Sequence, residues 1–185
     1  MDDLSPDQER LVTLMVGYQK GNMDDFATLY AELEQPLRRY LWTFVRDGAT
    51  VEDLLQTTFL QVHRARHTYT PPRPVAPWIY AITRHTALMH LRSRRRRKEY
   101  LAEEELPEVP IPPEVEDLGD RLLVRRLLLE LPQSDREILT LHHLMGFSFA
   151  DIANVVGISP GAAKVRAHRA IKALREKIQT HGAER

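Results

Sequence analysis

Cationic side chains that can bind phosphate are concentrated in two parts of the sequence. The first is an arginine-rich cluster over residues 92–98, and the second consists of Lys164, Arg166 and Arg169. Neutralisation of phosphates by lysine and arginine is a main source of a protein's affinity for nucleic acid. The two groups therefore predict two contacts with an anionic polymer, although solvated helix faces would give the same charge pattern.

The formal net charge of zero conceals an alternation of charge along the chain. Residues 61–98 carry 10 basic and no acidic side chains, whereas residues 99–120 carry 9 acidic and no basic ones. The stretch before them is net acidic, and residues 121–185 are net basic. Two positive blocks separated by a negative one predict two anionic ligands and an acidic connector.

The composition excludes several kinds of site. The sequence has no cysteine, which excludes disulfides, cysteine nucleophiles and cysteine-based metal sites. The amino terminus is acidic and lacks the basic flank and apolar run of a secretory signal. Apolar stretches fall short of the roughly 20 residues that cross a bilayer. We expect a soluble, cytoplasmic protein without a cofactor.

A metalloenzyme is the weakest of the functional alternatives. His63 and His67 lie four residues apart, a spacing that can bind zinc when both residues are on one helix. The sequence offers no apparent third ligand. We therefore assign no catalytic residue and no metal site.

The hydrophobic pattern is helical nearly throughout. Glycine is sparse, and alternating runs of β-branched residues are missing. Residues 101–117 combine prolines with glutamates, a composition that resists packing. The sequence predicts an all-α fold with two small helical domains, 1–100 and 118–185, joined by an acidic, proline-rich linker at 101–117. The second domain is predicted to contain a helix-turn-helix.

One helix of the first domain has two distinct faces. It is predicted to begin with Thr50 as its N-cap. One stripe at helical spacing should be buried: Leu54, Leu55, Thr58, Phe59 and Val62. Another face carries four residues: Asp53, Gln56, Thr57 and Leu60. A stiff, proline-rich loop follows at 67–76, and the next helix is predicted to open at Pro77.

Residues 147–178 have the layout of a helix-turn-helix. Gly157 supplies the tight turn, and Ser159 with Pro160 begins the second helix. The inward stripe of that helix is small and apolar: Ala163, Ala167, Ala170 and Leu174. A recognition helix needs such residues behind it and cationic or hydrogen-bonding residues in front to enter the major groove. The pattern favours DNA binding over an ordinary amphipathic hairpin.

Residues 131–178, which begin Leu-Pro-Gln-Ser-Asp-Arg-Glu-Ile-Leu, resemble the carboxyl-terminal domain of extracytoplasmic-function sigma factors. The resemblance implies that the second helix of the helix-turn-helix reads the minus-thirty-five promoter element. The contacts that it implies are Ser159, Gly161, Ala162, Lys164, Val165, Arg166, His168 and Arg169.

Two segments of the first domain resemble the same family. Glu52-Asp53-Leu54-Leu55-Gln56 followed by Phe59-Leu60 is similar to its core-binding helix, which implies that core RNA polymerase is bound by Asp53, Gln56, Thr57 and Leu60. The segment from Trp78 to His85, with Arg92 beyond it, resembles the promoter-melting segment. The minus-ten contacts that it implies are Tyr69, Arg73, Trp78, Arg84, His85, Arg92 and Arg95. We expect Trp78 to be mostly core and to shape the preceding loop.

Together the two resemblances imply a sigma factor that binds core RNA polymerase and promoter DNA and directs promoter recognition, strand opening and transcription initiation. An anti-sigma factor is the further partner that the family implies. Two alternatives remain. A sigma-like decoy would bind regulators only, and it is suggested by His85 and Met89, which replace the usual asparagine and aspartate. A helix-turn-helix repressor would leave the basic segment at 78–98 unexplained.

Overall fold

The structure, a computed structural model, describes residues 6–100 and 127–183, and the side chains of residues 7–97 and 127–179. Within those ranges the secondary structure is helical and contains no strand, which confirms the all-α prediction. The chain forms two compact units, Met1–Glu108 and Val109–Arg185. The predicted linker at 101–117 contains this boundary, and it lies outside the described residues.

Four α-helices make up the described part of the first unit: α1 (Pro6–Gln19), α2 (Met23–Leu41), α3 (Gly48–Ala65) and α4 (Val75–Tyr100). A short 3₁₀ turn, Arg66–Thr68, follows α3. The connection from α1 to α2 is tight because Gly21 adopts a positive φ of 96°. Asn22 then caps α2 by accepting hydrogen bonds from the backbone nitrogens of Asp24 and Asp25.

Helix α3 begins three residues earlier than predicted. Its N-cap is Asp47, whose carboxylate accepts hydrogen bonds from the backbone nitrogen (2.8 Å) and the hydroxyl (2.6 Å) of Thr50. The hydrogen bond from the Thr50 hydroxyl is the main cause that lowers the pKa of Asp47, so this cap is ionised at neutral pH. The prediction of Thr50 as the N-cap is wrong because an acceptor three residues earlier takes its backbone N–H.

Helix α4 also begins earlier than predicted, at Val75 rather than Pro77. Pro77 is buried in the first turn of the helix. A proline is tolerated there because the first backbone N–H groups of a helix have no intrahelical acceptor, so the ring displaces no hydrogen bond.

The core of the first unit is formed by apolar stripes from its four helices. The stripe predicted on α3 is confirmed, because all five of its members are at most 4% exposed. Tyr40 of α2 is fully buried between helices, with its ring centre 4.9 Å from that of Tyr80 on α4. This packing holds α3 and α4 in place and leaves their remaining faces open to partners.

The second unit contains α5 (Gln133–Leu139), a π-helical turn (Thr140–Leu144), α6 (Phe149–Val156) and α7 (Pro160–Ala183) among its described residues. Ser148 caps α6 through the backbone nitrogen of Asp151, 3.1 Å away. Ser159 accepts a hydrogen bond from the backbone nitrogen of Ala162 at 3.2 Å. The predicted start of α7 at Ser159 is therefore confirmed. The apolar residues before 127 in which a further helix was expected lie outside the described residues.

Candidate nucleic-acid and protein interfaces

The turn between α6 and α7 sets the direction in which α7 leaves. Gly157 ends α6 in the left-handed conformation, with φ 77° and ψ 40°, and its N–H donates to the Ala153 carbonyl. A residue with a Cβ would be strained in this conformation. Ala163, Ala167 and Ala170 are at most 2% exposed. Their small side chains let α7 pack closely against the rest of the unit, as predicted for a helix-turn-helix.

The outer face of α7 gathers the residues expected to read the minus-thirty-five element. Arg166 is half-buried, and the other members of this face are exposed: Ser159, Gly161, Ala162, Lys164, Val165, His168 and Arg169. Val165 is 54% exposed although it is apolar. A helix that presents cationic, polar and small apolar groups together suits the mixed chemistry of base edges and thymine methyl groups in the major groove.

The cations on α7 differ in their pairing along the helix. The Nζ atom of Lys172 lies 3.9 Å from Oε1 of Glu176, and Nζ of Lys177 lies 2.5 Å from Oε2 of Glu130. Among the side chains that the structure describes, no carboxylate forms an ion pair with Lys164, Arg166 or Arg169. The amino-terminal half of α7 therefore keeps its positive charge available for phosphates or bases, while Lys172 and Lys177 in the other half are paired with glutamates.

The second face of α3 is exposed as predicted, and its members are Asp53, Gln56, Thr57 and Leu60. Leu60 is 48% exposed, which is a large apolar surface for a residue with a packed helix behind it. The neighbouring Glu52 has a different role. It accepts a short hydrogen bond from Arg38, which also binds Glu34 at 2.8 Å. The two acidic residues of the motif are thus separated, one joining α3 to α2 and the other facing solvent.

Sequence reasoning missed this role of Glu52. The i,i+4 spacing of Glu34 and Arg38 is a readable sign of an ion pair on α2. The hydrogen bonds that Arg38 donates to Glu34 and then to Glu52 raise the pKa of Arg38 further, and the guanidinium stays charged. We regard this network as support for the position of α3 and not as part of the exposed face.

The connection between α3 and α4, residues 66–74, is organised around Tyr69. This residue was expected to contact DNA, but its side chain is only 4% exposed. The hydroxyl donates a short hydrogen bond to the Arg73 carbonyl, and burial raises the pKa of Tyr69 to about 12, so the phenol stays protonated. Its ring centre lies 5.6 Å from that of Trp78. The structure therefore places Tyr69 inside the α3–α4 loop, whereas Arg73 is exposed.

A groove of about 880 Å³ runs between α3 and α4. Trp78 is half-buried in its wall, and His85 and Met89 line it farther along α4. Thr57 contributes from the exposed face of α3. Trp78 thus supports the loop through Tyr69, as expected, and keeps part of its indole accessible. Beyond the groove, Arg84 is half-buried on α4, and Arg92 and Arg95 are exposed.

The histidine pair that could have bound zinc does not share one α-helix. Helix α3 ends at Ala65, so His67 falls in the 3₁₀ turn, which contradicts the expected helical spacing. The Nδ1 atom of His63 lies 2.6 Å from the Tyr18 hydroxyl. Within the described residues, no group of three or more histidine, aspartate or glutamate side chains could hold a metal ion. The two histidines are therefore separated by local structure.

Comparison with known proteins identifies the family. Residues 29–97 match the family described as Sigma-70 region 2, and residues 121–174 match Sigma-70, region 4. The chain is 38% identical over 167 residues to RNA polymerase sigma factor CarQ of Myxococcus xanthus, covering 88% of this chain and 94% of that protein. It is 35% identical to ECF RNA polymerase sigma factor SigF of Caulobacter vibrioides, covering 93% and 96%. The chain belongs to the ECF sigma factors of the sigma-70 family.

Solved structures share the fold of this sigma factor. The sigma factor RpoE of Bartonella quintana, solved with the anti-sigma factor NepR, matches with a TM-score of 0.75 and 24% identity over 84% of this chain and 97% of that one. CnrH, solved with the cytosolic domain of CnrY, matches with a TM-score of 0.68 and 24% identity, covering 94% and 99%. Both likenesses support the all-α architecture.

The family membership fixes the general function. This ECF sigma factor directs promoter-specific transcription initiation as a subunit that works with RNA polymerase. The α3 face, the α3–α4 loop and the described part of α4 up to Arg97 fall in the region 2 match, and the exposed half of α7 falls in the region 4 match. In the part of the sigma factor that the structure describes, no helix has the length and apolar character needed to cross a membrane.

Proposed function

We propose that this sigma factor divides promoter recognition between its two units. Helix α7 grips the minus-thirty-five duplex, while α4 and the α3–α4 loop act at the minus-ten element, where the strands separate. The observation that carries this proposal is the different setting of the two basic groups. Among the described side chains, Lys164, Arg166 and Arg169 form no ion pair on the recognition helix α7. The cations of α4 instead follow a loop in which the ring of Tyr69 contacts that of Trp78.

The chemistry of the two surfaces supports this division. Reading duplex DNA needs a helix that presents donors to base edges in the major groove. Holding separated strands needs aromatic faces for unstacked bases and cations for the backbone. Trp78 supplies a partly accessible indole, and Arg73, Arg92 and Arg95 supply cations on the same unit.

We also propose that the exposed face of α3 is the surface that binds core RNA polymerase. It combines a carboxylate, an amide, a hydroxyl and the exposed Leu60, a mixture typical of a protein interface with an apolar centre and a polar rim. These residues stand away from the buried stripe, so they can contact a partner without disturbing the core.

The sigma factor would act in the bacterial cytoplasm by binding and not by catalysis, with an anti-sigma factor as its inhibitor. RpoE of Bartonella quintana was solved in complex with the anti-sigma factor NepR. The same surfaces that contact polymerase and promoter would then be those that an inhibitor has to cover.

Transcription in a purified system tests the proposed function. Added to bacterial core RNA polymerase, the protein is expected to give promoter-dependent transcripts, which are measured on a library of promoter fragments. A sigma-like decoy would bind partners without giving transcripts, and a helix-turn-helix repressor would bind duplex DNA without polymerase. Either of those results would contradict the proposal.

Replacement of Trp78 by alanine tests the division within the first unit. We expect the variant to bind the closed promoter within about twofold of wild type, because the upstream contacts of α7 remain, and to open it at least tenfold less. A template with a pre-melted bubble should restore transcription. Permanganate reactivity of unpaired thymines, alongside a gel-shift titration, measures both steps.

Trp42→Ala is the matched control for Trp78→Ala, because Trp42 is also half-buried but lies at the end of α2. It should open the promoter normally. Equal loss of closed-promoter binding in both variants, without recovery on the bubble, would show that Trp78 supports the fold alone.

A further inference from the structure

The carboxyl-terminal end of α1 is tied to the α3–α4 loop by a single side chain. The Nε2 atom of Gln19 donates hydrogen bonds to the carbonyl of Arg66 at 2.7 Å and to the carbonyl of Tyr69 at 2.8 Å. A primary amide has two N–H donors, and both are used here. Gln19 therefore bridges the first and the fourth residues of the loop from a helix 47 and 50 residues away in sequence.

The residue before Gln19 contacts the same region. The Tyr18 hydroxyl lies 2.6 Å from Nδ1 of His63, and the guanidinium of Arg66 lies 5.9 Å from the centre of the Tyr18 ring. Arg66 also donates to the carbonyl of His63 at 2.7 Å. The start of the loop is thus held to the last turn of α3 and to α1 at once.

Tyr69 connects the restrained start of the loop to the remainder of the loop. Its carbonyl is held by Gln19, its hydroxyl closes the loop onto the Arg73 carbonyl, and its ring contacts Trp78. Loss of the hydrogen bond at the Tyr69 carbonyl would release the point at which these three contacts meet. The backbone N–H groups of Tyr69 and Arg73 form only long bonds within the loop, 3.3 and 3.4 Å.

We propose that Gln19 is a positioning residue for promoter opening, which holds the α3–α4 loop in the shape that receives the separated strand. This inference rests on the proposed function of that loop. An unstacked base must enter a pocket whose shape already exists, because ordering a loop at the moment of binding costs part of the binding free energy. Gln19 itself need not touch DNA, since it acts through Tyr69 and Trp78.

Gln19→Met tests this assignment because methionine has nearly the length of glutamine and no N–H donor. Gln35→Met is the matched control, since Gln35 is an exposed glutamine on a different helix, α2. Gln19→Glu and Gln35→Glu form a second pair, in which the donors are lost while the side-chain shape is kept. Circular dichroism and core-polymerase binding identify any variant that has lost its fold.

Two measurements are made on the full-length protein. Hydrogen–deuterium exchange of peptides covering residues 66–74 reports the loop, and we expect about tenfold faster exchange for both Gln19 variants, as the loss of two neutral hydrogen bonds would give. Permanganate reactivity on duplex promoter with core polymerase reports opening. We expect opening to fall about tenfold, with closed-promoter affinity within twofold of wild type and recovery on a pre-melted bubble.

The outcomes separate this inference from the proposed function. Unchanged hydrogen–deuterium exchange in the loop of the Gln19 variants would show that Gln19 does not hold the loop. Faster exchange with normal opening, in a protein whose wild type opens promoters, would overturn its role in opening and leave the proposed function standing. Absence of promoter-dependent transcripts from the wild type would instead remove the proposed function, and the role in opening with it. Faster exchange with a defect that the bubble relieves, and no effect at Gln35, supports the assignment.

Discussion

Replacement of both Asp53 and Gln56 by arginine is expected to lower the affinity of the sigma factor for core RNA polymerase about 100-fold, or ~3 kcal/mol. Both side chains are exposed on α3 and face away from its buried stripe. The double variant reverses one charge and adds a second positive one at the centre of the proposed interface. A positive charge placed against a polymerase surface that complements the native carboxylate costs several kcal/mol. The same holds for an arginine that is buried in the interface without an opposite charge.

The double variant should keep its helix content and its unfolding temperature, because neither residue contributes to the core. Binding is measured by pull-down and by titration of a fluorescent label against core polymerase. Ala31→Arg with Gln35→Arg is the control, which places two arginines on an exposed face of α2 one turn apart. Core affinity that is unchanged by the α3 pair, or lowered equally by both pairs, would remove the assignment of this surface.

Replacement of the adjacent acids Asp53 and Glu52 should have different consequences. Glu52 is bound to Arg38, so its loss would remove a partner of Arg38 on α2 and not a contact to polymerase. The difference between the two neighbours follows from the helix geometry, since successive residues point about 100° apart. Of these two adjacent acids, Glu52 is turned toward Arg38 of α2, and Asp53 is exposed.

Features that depend on nearby residues were predictable from the sequence. Three such features are the buried stripe of α3, the Ser159 cap and the Gly157 turn. Each is decided within one or two helical turns, by hydrophobic spacing, a side-chain acceptor or a positive φ. The opposite faces of α3 and α7 followed from the same spacing. These local rules carry most of the candidate surfaces.

Features that depend on competition or on distant contacts were not predictable. Asp47 displaces Thr50 as the cap because two suitable side chains lie close together and only one geometry is realised. The burial of Tyr69 results from its contacts with Trp78 and Arg73, and its carbonyl is held from α1. A polar aromatic residue in a proline-rich loop is compatible with either exposure or burial. Tertiary packing decided between them.

Alanine at Lys164 or Arg166 is expected to weaken binding of the polymerase–sigma complex to the closed promoter. If the side chain contacts a base edge, the loss is about 1–3 kcal/mol at the cognate minus-thirty-five sequence and small on a scrambled one. If it contacts a phosphate, affinity falls on both sequences and the salt slope falls by roughly 0.9. Titrations at several salt concentrations on the two sequences distinguish these roles for each side chain.

Matched controls lie on the same helix. Lys172→Ala removes the same charge from a side chain that is 73% exposed and lies about 12 Å farther along α7, beside Glu176. Arg175→Ala removes a charge from the side of the helix opposite Arg166. Both controls should bind the promoter within about twofold of wild type, because a single solvated charge outside the major groove of the DNA contributes little.

A pre-melted bubble should rescue the Lys164 and Arg166 variants only slightly, since the bubble removes the cost of strand separation and leaves the upstream duplex contact missing. This response is opposite to that expected for Trp78→Ala, whose defect lies in opening. The two kinds of variant therefore give a crossed pattern on duplex and bubble templates. A common response, in which the α7 variants recover fully on the bubble or Trp78→Ala does not, would mean that the two units share one step and that the proposed division is wrong.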